Sequence, residues 1–217
     1  MAINSKFLFK SRKSLKTVAV LYLLIALLLS SVVLVNLYTG IPLEIFTKDL
    51  ATVADVNPFV GVVSSIGVLL WCVGASICLF TFGKIIEQSN KINDYSFFLL
   101  FFGLTTLVLL IDDLFLFHEL IAPEVLNIPQ EIVYVFYGIL VLFGIVRFRK
   151  IIFQTEWIVL GLAFAFFTLS IAIDLFEGLL ILHNSVFLED SFKLLGIASW
   201  VCYFVLASSQ IEKRCCR

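Results

Sequence analysis

Six long apolar runs divide the chain, and each breaks at a short polar or charged stretch. The runs are Thr17–Tyr38, Pro58–Lys84, Ser96–Glu119, Glu131–Phe148, Trp157–Leu182 and Ser191–Ser209. None alternates apolar with polar residues as a half-buried strand does, so the pattern predicts helices. At 1.5 Å per residue each is long enough to cross ~30 Å of hydrocarbon. In lipid only helices and closed barrels satisfy every backbone group, which also favours helices. The expected fold is therefore all-α, a six-helix transmembrane bundle over 17–209. A basic segment, 1–16, precedes it and a basic cysteine-containing tail, 210–217, follows.

Composition agrees. Hydrophobic residues make up 61% of the 217 positions and charged residues 14%, and the mean hydropathy is +1.10. A soluble domain carries roughly 45–50% apolar and about 25% charged residues. The lipid bilayer is thus the expected surrounding, with a bacterial plasma membrane as the default. Nothing in the sequence calls for nucleic acid. The first run has a basic flank but no small-residue cleavage site, so it reads as a retained helix.

Charge is sorted by side. On this topology 13 of the 15 Lys and Arg residues fall on one side, and only Lys48 and Lys193 on the other. By the positive-inside rule, both termini and the even-numbered loops are expected in the cytoplasm.

The acids are sorted too. Asp112 and Asp113 lie about 10 Å in from the outer end of the third helix, and Asp174 and Glu177 sit at similar depth on the fifth. His183, Glu189, Asp190 and Lys193 lie at the last outer loop and the first turn of the sixth, and His118 and Glu119 close the third. A charge in hydrocarbon costs ~2.5–3.5 kcal/mol on insertion scales. These acids are therefore expected to be protonated, paired, wet or cation-bound. The candidate metal or proton site is Asp112, Asp113, His118, Glu119, Asp174 and Glu177, with Glu189, Asp190 and Lys193 as a supporting ion-pair group. A regular helix places His118 about 120–140° from both aspartates, so they meet only if the helix breaks or unwinds there. IDDLF (Ile111–Phe115) and IDLFE (Ile173–Glu177) form a faint internal similarity between the third and fifth helices.

The bland alternatives bear on several residues. His118, Glu119, Glu124, Glu131, Glu189 and Asp190 suit a wet outer rim. Asp190 and Glu131 also suit helix N-termini. Ser64, Gly67, Trp71, Gly74 or Ala75, and Cys78 form a small-residue packing face. Cys72, Cys78 and Cys202 read as buried small hydrophobes, and the KRCCR ending admits juxtamembrane acylation.

Several chemistries are excluded. There is no GxGxxG, Walker lysine loop, HExxH or GxSxG. Two histidines cannot make a tri-histidine zinc site. Three functions remain: an outer-facing pocket that binds a cation or exchanges protons, a metal-dependent intramembrane enzyme acting on a lipid or quinone-like substrate, and an accessory subunit held among other membrane subunits. A divalent metal ion is the candidate cofactor for the first two.

Overall fold

The computed structural model describes residues 5–48, 53–57, 59–89, 92–176 and 185–215. Among them every regular element is helical. The chain forms two compact units, Met1–Val60 and Gly61–Arg217. Five helices of the second unit are long and apolar enough to cross a membrane.

The first unit holds α1 (Ser5–Thr39) and a short 3-10 turn, Leu43–Phe46. Helical backbone thus begins well before the expected Thr17. Over residues whose side chains are described, the apolar stretch of α1 is Ile25–Thr39, shorter than the five spans. Gly40, at φ +73°, takes the left-handed position that ends a helix, and its N–H bonds to the Asn36 carbonyl at 2.8 Å.

The second unit contains α2 (Val62–Ser89), α3 (Asp94–Phe115), α4 (Gln130–Phe153), α5 (Trp157–Phe176) and α6 (Ser185–Cys215). Asn93 and Ser96 start α3 with a reciprocal capping box. Helices α2 and α3 pack together, α6 packs on α2, α5 on α6, and α4 more lightly on α3. The predicted face of α2 is indeed the packing face. A Cβ at Gly67 would meet Ile197, and one at Gly74 would meet Val201 and Thr106.

Aromatic rings fill the core. Phe98, Phe102, Phe148, Trp200, Tyr203 and Phe204 are fully buried and in ring contact, with Trp200 and Phe204 5.0 Å apart. Gly144 lets α4 approach this cluster, because a Cβ there would lie 2.5 Å from the Phe101 ring. Large apolar side chains such as Ile139, Phe143 and Val146 of α4 are exposed, as lipid contact demands. Only Cys78 of the intramembrane cysteines is buried. Cys72 and Cys202 are exposed, which corrects their assignment to the interior, since α2 and α6 turn other faces to their neighbours.

At one end of this unit the helices are tied by polar contacts. Lys84 pairs with Glu212, Arg147 with Asp94 at 3.3 Å, and Arg214 bonds Gln154 at 3.2 Å. The acids singled out from the sequence gather at the opposite end.

Candidate functional site

The third helix does not run to Glu119. It stops at Phe115, and Leu116 takes a left-handed conformation (φ 51°, ψ 44°). A wide π-helical turn, Phe117–Val125, follows and contains Pro123, which has no N–H to give. A regular helix would set Asp112, Leu116 and Glu119 along one face; the break removes that alignment, and the chain swings His118 back over the end of α3.

That reversal joins His118 to Asp112. The His118 imidazole Nδ1 lies 2.5 Å from Asp112 Oδ2, and its backbone N–H donates to Oδ1 at 3.1 Å. Tyr137 on α4 donates its hydroxyl to the same Oδ1 at 2.8 Å. Asp112 thus accepts three hydrogen bonds while buried. The other imidazole nitrogen, Nε2, is 3.4 Å from Glu119 Oε1, and the Tyr134 ring packs 5.1 Å away.

His118 lies beyond the α3 span. Burial pushes its imidazolium toward losing the proton, but hydrogen bonds to Asp112 and Glu119 outweigh that and raise the pKa to about 9. The Glu119 carboxyl is held below its ordinary value, chiefly by its hydrogen bond with His118. The imidazole therefore carries a proton at neutral pH and bridges two carboxylates.

Asp113 serves a separate set of partners. Lys193 Nζ lies 2.7 Å from Oδ1, and the Trp71 indole N–H donates to Oδ2 at 3.0 Å. Trp71 in turn stacks on Phe167 at 5.9 Å. The salt bridge of Lys193 thus crosses from α6 to α3.

Both pairs line one cavity of about 610 Å³. Its walls come from α2, α3, the π turn, α4, α5 and α6. Asp174 and Glu189 line it too, and the half-buried Asp174 has no hydrogen bond or salt bridge to another described residue. Away from these groups the lining becomes apolar, with Val141, Leu142, Ile145, Phe164 and Ile171. A second cavity of about 20 Å³, room for about one water, lies beside Ser64, Asp113, Asp190 and Lys193. Asp113 and Lys193 line both cavities.

Of the sequence candidates, Asp112, His118 and Glu119 form one cluster, Asp113 and Lys193 another, and Asp174 and Glu189 stand on the same cavity. Asp190 faces the small cavity. Glu177 and His183 lie outside the described residues. Among the described residues no three of His, Cys, Asp or Glu converge as metal ligands.

Trp71, Tyr134 and Tyr137 complete the site and were not among its expected members. The tyrosines are three apart, hence on one helical face near the start of α4. That was the available signal. Trp71 was hidden within a packing face.

No curated protein and no solved structure matches the chain. A family model does match residues 17–207, most of the length, and is described as Domain of unknown function (DUF8692). The chain belongs to that family.

Proposed function

We propose that this chain is a six-span membrane protein with both termini cytoplasmic, whose outer cavity binds a positively charged guest and holds a proton on the Asp112–His118 pair. One observation carries the reading: five carboxylates, Asp112, Asp113, Glu119, Asp174 and Glu189, line a single cavity with two cations, Lys193 and protonated His118. Carboxylates thus outnumber cations in a place where lipid shields charge poorly. A cation entering there replaces water as the compensating partner.

The split between Asp112 and Asp113 supports a division of labour. Asp113 is already neutralised by Lys193, so it braces the wall. Asp112 is paired with the titratable His118 ring, so the net charge of the pair changes when that ring gains or loses a proton. Asp174, on the facing helix, supplies a carboxylate for the guest.

The test uses the full chain in phosphatidylcholine nanodiscs. Its unfolding temperature is followed while sodium, potassium, calcium, magnesium or methylammonium chloride is added at constant ionic strength. At least one cation should raise the midpoint, and Asp174→Asn should remove that rise. Equal midpoints with every cation, or a rise that survives both Asp174→Asn and Asp112→Asn, would refute the reading.

A further inference from the structure

Building on the cation-site reading, we infer that the guest is a single-chain amphiphile with an amine head, which enters sideways from the bilayer between α4 and α5. The cavity is long and two-ended. Along α4 it runs from Tyr134 to Ile145, about 16 Å at 1.5 Å per residue. Its outer end holds the carboxylates, and Ile145 and Phe164 line its apolar half. A small ion needs only the first half. The apolar half has a use if the guest carries a hydrocarbon chain.

The way in follows from the packing order. Within the Gly61–Arg217 unit, helices run α4, α3, α2, α6, α5 by contact, and α4 and α5 make almost none with each other. Both nevertheless line the cavity. The gap between them is therefore a lateral slot. Gly138 stands on the α4 wall, and a Cβ added there would meet nothing within 4 Å, so the slot is open at mid-length. The volume lies within the ~300–1,000 Å³ typical of small-molecule sites.

Charge selects the head. An ammonium donates charge-assisted hydrogen bonds to carboxylates, and Asp174 has no such partner among the described residues. A phosphate or sulfate head would face the same surplus of negative charge and be repelled. Trp71, Phe167 and Trp200 line the cavity with aromatic rings, which suits both an alkyl chain and a cation over a ring face.

Dodecylamine, methylamine and dodecyl sulfate serve as probes, with the full chain in phosphatidylcholine nanodiscs and the unfolding midpoint as readout. Dodecylamine should stabilise the protein at concentrations at least about 100-fold below methylamine, because chain burial adds affinity with each methylene. Dodecyl sulfate should not stabilise it. Gly138→Leu, which fills the slot without touching a charge, should weaken dodecylamine by about tenfold or more and leave methylamine unchanged. Asp174→Asn should weaken both amines. If methylamine matches dodecylamine, or Gly138→Leu changes nothing, the amphiphile is refuted while the cation site stands. If neither amine stabilises the wild-type chain, the amphiphile fails and no amine site remains. Stabilisation by dodecyl sulfate equal to that by dodecylamine overturns the assignment of the head.

Discussion

Asp112 and Asp113 are adjacent in the chain yet take separate partners on separate elements. Asp112 binds His118 and Tyr137, and Asp113 binds Lys193 and Trp71. Successive helical residues differ by about 100°, so two neighbouring acids brace two directions at once. One links α3 to α4 and to the π turn, and the other links α3 to α2 and α6.

The Asp113–Lys193 bridge predicts an asymmetric double-mutant cycle. Lys193→Met leaves a buried carboxylate without its cation and should cost about 3 kcal/mol of stability. Adding Asp113→Asn should restore most of that loss, since the stranded charge is gone. Unfolding in nanodiscs checks both, and equal stabilities for single and double variants would contradict the pairing.

His118 predicts a pH dependence with a definite sign. Its pKa rises from 6.5 in the unfolded chain to about 9 in the folded one. The stability it adds is therefore complete below about 6.5 and is lost as pH climbs through about 9. Asp112 and Glu119 stabilise its proton, Lys193 opposes it, and Tyr134 and Tyr137 face the same pocket. The midpoint should fall between pH 6.5 and 9.5, by a few kcal/mol of stability, and His118→Gln should flatten that part of the profile.

Leu116 predicts a backbone effect. A non-glycine residue in the left-handed region costs ~1–2 kcal/mol. Leu116→Gly should relieve this and keep the raised His118 pKa. Leu116→Val, β-branched at a positive φ, should destabilise the chain and bring the His118 pKa back toward 6.5. NMR titration of the imidazole distinguishes the two.

Topology is directly testable. A fluorescent protein fused after Arg217 should fold and fluoresce on the cytoplasmic side, and an alkaline phosphatase at the same place should be inactive. The opposite pair of results would invert the membrane orientation.

Much of the architecture was readable in the linear pattern. The all-helical class and the spans from α2 to α6 follow from apolar length alone, because lipid leaves a chain few other ways to satisfy its backbone. The clustering of Asp112, Asp113, Asp174, Glu189 and Lys193 at one end was equally legible, since burying a charge is too costly to be accidental. Helix ends were less so. Helix α4 continues to Phe153 and α6 begins at Ser185, because polar end turns extend a helix without an apolar signal.

The sequence by itself determined that the long apolar runs are helical and that the acids gather toward one end of them, for both depend only on local hydrophobicity and the rise per residue. Only the tertiary structure decided who pairs with whom. The left-handed turn at Leu116 returned His118 to Asp112, and the packing of α6 on α2 carried Lys193 to Asp113 beside Trp71. Such pairings cross between elements or hinge on one backbone dihedral, and neither leaves a periodic mark along the chain.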